Sequence, residues 1–397
     1  MEIYLFHKKM TKKTLIRITT VPSSMGGLLK GQLKFMTQYY KVIGISSTAN
    51  GMLDKVSSSQ AIDTIPVEMT RKITPLKDLV AAYKLYKIFK RERPYIVHTH
   101  TPKAGTLGMI AAKLSGVPNR LHTIAGLPLV EAKGPKRTLL NLVEKITYAC
   151  ATKIYPNSFG LQDIILENKF TNKSKLKVLG NGSSNGIITS YYDKSLYSDS
   201  EKLKLKENLG ISPNDFVFVF VGRLVADKGL NELIGAFVNI EKQFNNVKLL
   251  LVGPYESDMD PLSNTTMEII EKHDKIIALG WQDDVRPYFA ISNGLVFPSY
   301  REGFPNVVLQ AAAMKLPCIV TNINGCNEII INNKNGIVIP VKNTQALFDS
   351  MKQLYMLPKD ERLRMGDISR VNIVSKFEQK FVWEAILNEY KALEISD

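Results

Sequence analysis

At 397 residues, with 45% hydrophobic and 22% charged residues, the chain has the composition of a globular protein and enough length for two or three domains with sizeable cores. Cys150, Cys318 and Cys326 are odd in number and not spaced as metal ligands, which points to a reducing compartment. No apolar run approaches the ~20 residues that cross a bilayer, and Met1 to Thr14 is too weak a patch for a secretory signal; the expected location is the cytoplasm or the cytosolic face of a membrane.

The net charge of +15 is unevenly spread. Residues 1–200 hold 30 Lys and Arg against 12 Asp and Glu, a net of +18, whereas residues 201–397 hold 22 against 25, a net of −3. This suggests two domains with different partners, the basic one suited to an anionic membrane or a pyrophosphate-bearing substrate. No helix-turn-helix, zinc-finger or RNA-recognition signature accompanies the basic residues, so no nucleic-acid partner is expected.

In chain order, Leu15 to Thr20 reads as a first strand, followed by Val21-Pro22-Ser23-Ser24-Met25-Gly26-Gly27 and a helix from about Leu28 to Tyr39. Gly26 and Gly27 between strand and helix would let a phosphate or sugar approach the backbone, although the G-x-G-x-x-G fingerprint is absent. Residues 76–93 read as a helix both apolar and basic: Leu76, Leu79, Val80, Tyr83, Tyr86 and Phe89 recur at helical spacing, with Lys84, Lys87, Lys90, Arg91 and Arg93 among them. Such a helix either packs on a sheet with a solvated basic face or lies on anionic lipid. Lys133-Gly134-Pro135-Lys136-Arg137, ahead of Leu139-Leu140, is a candidate for the same surface.

Ile96-Val97 end the next strand, and His98, Thr99, His100, Thr101 and Lys103 crowd its carboxyl end, with His98 and His100 on one face. No third ligand for a metal is evident, so polar groups lining an acceptor site are the better reading. Leu121-His122-Thr123 repeats the arrangement on a following strand. Residues 153–158 and 177–182 read as the last strands of this half, and the Asn181-Gly182 and Asn185-Gly186 steps as turns.

A polar stretch at about 192–210 connects to a second α/β unit. This begins with Phe216 to Val221, too apolar for anything but a central parallel strand. Arg223 leaves that strand's end and Lys228 falls near the next helix's start, so both cations lie where an open α/β sheet binds its ligand. Further strands read at 247–252, 276–280, 295–298 and 318–321. Asp258-Met259-Asp260, before Pro261, spells a metal-binding D-x-D but sits away from the other motifs and reads as a chance match. After strand Leu295 to Pro298, Gly303 is free of Cβ sterics and Pro305 suits a helix start, which places the N–H groups of Phe304, Asn306 and Val307 as an anion site. Glu302 stands at its mouth, and Gln310 lies one turn above Asn306 on the same helix face. Glu328 either sits as an acid near a helix N-terminus or lines the site. Residues 344–397 read as mostly helical.

Glu302-Gly303-Phe304-Pro305 resembles the E-x7-E signature of the large retaining glycosyltransferase family (family 4) that uses the GT-B fold, with Gln310 in place of the second acid. Gly222 to Gly229, reading G-R-x-x-x-x-K-G, resembles the same family. His98 to Gly105 resembles GT-B enzymes that build bacterial surface polysaccharides on polyprenyl carriers. The likeness covers nearly the whole chain.

It implies an α/β architecture of two Rossmann-like domains facing across a cleft: an acceptor-binding domain over 1–195, a nucleotide-sugar-binding domain over 196–375, and a terminal helix, 376–397, returning to the first. The implied reaction moves a hexose or N-acetylhexosamine from a nucleotide-sugar, a UDP-sugar by expectation, to a polyprenyl-diphosphate-linked saccharide with retention, in capsule, O-antigen or exopolysaccharide assembly. His122, Arg223, Lys228 and Glu302 take the catalytic roles. Gly26, Gly27, Gly303, Phe304, Pro305, Asn306 and Val307 join Arg223 and Lys228 around the donor, and Gln310 holds the ribose diol. His98, His100 and Lys103 line the acceptor site. No metal and no cofactor are implied, and the protein sits peripherally on the inner face of the cytoplasmic membrane. A nucleotide-sugar epimerase on the same plan and a non-catalytic binding homologue remain open as alternatives.

Overall fold

A computed structural model describes residues 12–70, 72–127, 129, 132–256 and 260–395 of the chain. These form two compact units. The first takes the described residues up to Pro156, Gln162–Lys177 and those from Ile386 on; the second takes Asn157–Leu161 and Val178–Ala385.

In the first unit, β1 (Thr14–Ile18), β2 (Lys41–Ser46), β3 (Asp63–Pro66), β4 (Ile96–His100), β5 (Asn119–Ile124) and β6 (Lys153–Pro156) form one parallel sheet in the order β3-β2-β1-β4-β5-β6. In the second, β7 (Phe216–Val221), β8 (Val247–Val252), β9 (Ile276–Ala278), β10 (Gly294–Phe297), β11 (Cys318–Thr321) and β12 (Gly336–Ile339) repeat the plan in the order β12-β11-β10-β7-β8-β9. Both are doubly wound, Rossmann-like sheets. The chain starts in the middle, winds to one edge, returns and winds to the other. Strand order therefore reverses between β1 and β4 and again between β7 and β10, and the carboxyl ends of those pairs are the natural ligand sites. β7 shows why the sequence folds so. Its six alternating Phe and Val residues are all buried, which suits a central strand covered on both faces.

Several elements differ from the sequence reading. Gly26 and Gly27 lie within a short helix, Pro22–Leu28, and not in an open loop; Pro22 at its first position starts the turn early. β4 runs on through His100, because all five of its residues are buried. Residues 177–182 form no strand; Leu176 makes a lone bridge to Ile154. β2, β3 and β12 were not anticipated. The passage into the second unit falls at 177/178, ahead of the expected 195/196, because the polar segment 187–193 is bound to second-unit residues. Arg370 donates to the carbonyls of Thr189 and Tyr192 and to Asp193 Oδ2.

The last helices, Lys359–Phe377 and Gln379–Ile395, are separated at Glu378, where Ile187 exchanges backbone hydrogen bonds with Phe377 and Gln379. The second half of the terminal helix belongs to the first unit, where Tyr390 is fully buried.

The helix Pro75–Glu92 buries Ala81, Leu85, Ile88 and Phe89. Of the apolar residues picked out beforehand, only Phe89 is in the core. Leu76, Leu79, Val80 and Tyr83 form an outward stripe, with Leu76 83% exposed. A second helix, Gly134–Cys150, leaves Leu139, Leu142 and Ile146 exposed. The helix Pro102–Ser115 packs against both. Among the described residues no helix is long and apolar enough to cross a membrane.

Candidate active site

The second unit gathers its polar residues where β7 and β10 end. The chain leaves β7 through Gly222 and Arg223, makes a tight turn at Ala226–Lys228, and enters a helix at Gly229. Gly229 has φ 73°, and a Cβ there would lie 2.2 Å from the carbonyl oxygen of Pro298, so the loops after β7 and β10 touch backbone to backbone. Gly325, at φ 76°, brings the loop after β11 against the carbonyl of Gly303 in the same way, 2.4 Å from where its Cβ would be.

Glu302 sits among these three loops. Its carboxylate pairs with Lys228 Nζ, each side chain being 15% exposed, and accepts a hydrogen bond of 2.8 Å from the buried Ser299 Oγ. Asn324 Nδ2 donates to the backbone carbonyl of Glu302 and so fixes the loop from below. Arg223, further out and more exposed, pairs with Glu256 at 2.7 Å. Burial pulls the Arg223 guanidinium down, but the hydrogen bond and charge of Glu256 more than offset it and leave the group above its ordinary value. Each cation is thus held by one carboxylate.

The helix Asn306–Ala313 starts immediately beyond, with Pro305 as its cap residue. The N–H groups of Asn306 and Val307 open its first turn, where no preceding carbonyl is available to them. Phe304 is buried against Phe377, ring centroids 5.2 Å apart. Gln310, one turn in, donates from Nε2 to the hydroxyl of Tyr192 at 2.9 Å. Glu302, Gly303, Phe304, Pro305, Asn306, Val307, Gln310, Arg223 and Lys228 thus fall on adjoining loops and one helix.

Glu328 is a cap: its carboxylate accepts from the N–H groups of Phe159, Gly160 and Gly325. Of the D-x-D stretch, Asp258 and Met259 lie outside the described residues. Asp260 accepts from the N–H of Asp227 and ties the Lys228 turn down.

The first unit arranges its polar residues differently. Arg17 on β1, His98 and His100 on β4, and Thr123 on β5 point to one side of the sheet, where Tyr390 of the terminal helix covers them. Arg17 is fully buried, and among the described residues no carboxylate pairs with it. It donates to His100 Nε2, Tyr390 Oη and Gln32 Oε1. His98 lies 2.7 Å from Thr123 Oγ1 and stacks 4.4 Å from His100. Burial, together with the neighbouring positive charge, pushes both histidines well below their ordinary value. His98 and His100 share a face as expected, but that face is interior, 1% and 3% exposed, and not a surface lining. Lys103 also departs from the acceptor-lining expectation. It pairs with Asp78 and donates to the carbonyl of Lys72, pinning the start of the helix Pro75–Glu92.

His122 faces the opposite side of the sheet, 2.9 Å from Thr99 Oγ1 and 3% exposed. A Cβ on Gly105 would fall 2.3 Å from its ring, so the helix Pro102–Ser115 lies directly on the imidazole. Burial pushes His122 down to about 4, so it is neutral at physiological pH. At the β1/β4 switch point, Thr101 adopts φ 74°, an outlier for a β-branched residue. It is held there by hydrogen bonds from Thr20 N and with Thr20 Oγ1.

The sequence reading missed Arg17, Tyr192, Glu256, Ser299 and Asn324. A charged residue inside Leu15-Ile16-Arg17-Ile18 was a signal for the first. Ser299 lies only three residues before its partner Glu302; the others carry none, since their partners lie far away in the chain.

Similarity to known proteins agrees with this arrangement. Residues 201–371 match the family described as glycosyl transferases group 1, and residues 28–158 match glycosyl transferase 4-like. The chain is 33% identical to the capsular polysaccharide biosynthesis glycosyltransferase CapM of Staphylococcus aureus, over 96% of this chain and 97% of that one. It is 30% identical to the UDP-Gal:alpha-D-GlcNAc-diphosphoundecaprenol alpha-1,3-galactosyltransferase of Escherichia coli, over 78% and 76%. In fold it is similar to Anabaena HepE in complex with UDP and glucose, with a TM-score of 0.78 and 17% identity over 96% of this chain and 100% of that one. The chain belongs to the group 1 glycosyltransferases and has their GT-B fold of two Rossmann-like domains.

Proposed function

We propose that this glycosyltransferase moves a hexose or N-acetylhexosamine from a UDP-sugar to a polyprenyl-diphosphate-linked saccharide, with retention of anomeric configuration, in capsule, O-antigen or exopolysaccharide assembly. The observation that carries the reading is the Lys228–Glu302 pair at the β7/β10 switch point, beside the start of the helix Asn306–Ala313. Cleavage of the bond from the anomeric carbon to the diphosphate develops negative charge on the leaving group. Arg223, Lys228 and the first-turn N–H groups of that helix, including those of Asn306 and Val307, are suited to take up that charge. A diphosphate competes with Glu256 and Glu302 for the two cations. As Lys228 turns to the phosphate, Glu302 becomes available to sugar hydroxyls. Gln310 holds a ribose hydroxyl. The E. coli relative, named for UDP-Gal and a diphosphoundecaprenol acceptor, supports the donor and acceptor classes.

The membrane face belongs to the same proposal. Leu76, Leu79, Val80 and Tyr83 on one helix, and Leu139, Leu142 and Ile146 on another, stand exposed on the unit that carries the basic excess. Each basic residue near an anionic leaflet contributes about 1 kcal/mol. Sedimentation with anionic vesicles should fall steeply between low and high salt. Equal binding to neutral and anionic vesicles defeats the electrostatic account.

Incubation with radiolabelled UDP-sugars and a bacterial lipid extract tests the reaction. Label in the lipid fraction is expected. Free epimer points to an epimerase, and no turnover to a binding homologue.

A further inference from the structure

We propose that Tyr192 is a positioning residue for Gln310, and that the pair makes the nucleotide site favour one of the two ribose hydroxyls over the other. The inference rests on the reading of Gln310 as the ribose partner and deepens it. With one hydrogen of Gln310 Nε2 donated to the Tyr192 hydroxyl at 2.9 Å, the amide cannot turn, and Oε1, a neutral acceptor, and the second N–H each keep one fixed direction. A carboxylate at this position has two oxygens for two hydroxyls. An amide free to rotate can accept from one hydroxyl and donate to the other. An amide already held by one end cannot turn to follow both, and its fixed Oε1 favours one of them.

Tyr192 is fixed relative to the helix that carries Gln310. Arg370 donates to the backbone carbonyl of Tyr192 at 2.9 Å and, through the same nitrogen, to the carbonyl of Ala313 at 2.6 Å, at the last residue of that helix. Its other terminal nitrogen pairs with Asp193 at 2.7 Å. The Tyr192 ring meets Tyr191 edge-on at 5.1 Å, and the Arg286 guanidinium lies 3.4 Å over Tyr191. Burial pushes the Tyr192 hydroxyl up to about 12, so it stays protonated at neutral pH and can accept from an amide or donate to a carboxylate.

Calorimetric titration of the full chain with UDP and GDP, and then with the 2′-deoxy and 3′-deoxy forms of whichever binds, tests this. In wild type, one deoxy form should bind about three- to tenfold more weakly than the parent and the other within about twofold of it, the effect of one neutral hydrogen bond. Tyr192→Phe, which removes a single oxygen and frees the amide to turn, should bring the two deoxy forms within about twofold of each other. In a Gln310→Ala background the same change should have no further effect. If wild type loses affinity equally for both deoxy forms, or Tyr192→Phe keeps the split, the positioning role is overturned while the nucleotide site stands. If neither nucleotide binds wild type, the reading of the site and this inference fall together.

Discussion

The two sheets share one winding order yet set their polar residues to opposite uses. In the first unit the histidines of β4 and the guanidinium of Arg17 are sealed under the terminal helix, bonded to one another, to the hydroxyls of Tyr390 and Thr123 and to the amide of Gln32. In the second, cations and carboxylates meet in pairs near the surface: Lys228 with Glu302, Arg223 with Glu256, Arg301 with Asp227. Interior groups already bonded to one another contribute rigidity. A pair of opposite charges at a loop edge can exchange partners when an anion arrives. Topology nominates both switch points, and burial separates a scaffold from a site.

Breaking the charged pair is the sharpest test. Lys228→Ala removes a cation from the position proposed for the leaving diphosphate, a change worth roughly 3–4 kcal/mol, or a factor of 10²–10³ in kcat. It also leaves Glu302 largely buried without its partner, so the melting temperature should fall. Arg223→Ala should lower kcat comparably but leave the melting temperature nearly unchanged, because Glu256 is well exposed without it. A purified Lys228→Ala enzyme with near-normal kcat removes that residue from the mechanism.

The buried histidines predict the opposite signature, a pH dependence of stability in the first unit. His122 has a folded value of about 4 against about 6.5 in the unfolded chain. Between those values the unfolded state binds more protons, so stability is present above about pH 6.5 and is lost as pH falls toward 4. From pH 7 to pH 5 His122 alone accounts for about 2 kcal/mol. His98 and His100, shifted the same way, add to the loss. Hydrogen exchange of the β4 and β5 amides should accelerate over that range more than exchange of β7 and β10. Equal acceleration in both sheets contradicts the assignment.

How far the sequence revealed each region follows from the same contrast. β7, β8 and β11 were legible because continuous apolar runs have no other place than a covered parallel strand. The Arg223, Lys228 and Glu302 cluster was legible because its parts sit at strand ends, where position alone implies proximity. β3 was not, being a four-residue edge strand, half exposed and lacking periodicity. His98 and His100 were placed at a surface because polar residues at a strand end usually are. What buries them is Tyr390, 292 residues from His98, and no local pattern announces such a contact. Lys103 was misread for a similar reason. Its carboxylate, Asp78, lies on a neighbouring helix 25 residues earlier.

The smallest expected effect sharpens the comparison most finely, because it changes one neutral group of the second unit into a charged one. Hydrogen bonds to a charged acceptor contribute about 1.5–3 kcal/mol and neutral ones about 0.5–1.5. Gln310→Glu should therefore tighten ribose binding by on the order of 1 kcal/mol. Tyr192 need not be lost in the exchange, since its hydroxyl can turn from accepting the amide hydrogen to donating toward the carboxylate. Ribose is held alike in the ground and transition states, so the donor KM should fall several-fold with kcat little changed. Gln310→Ala should raise KM. If the glutamate variant binds donor no better, the surroundings of residue 310 are built for the amide, and the charged pairs of this unit end at Glu302. If wild type is inactive and Gln310→Glu restores turnover, the glutamine itself is what silences the site.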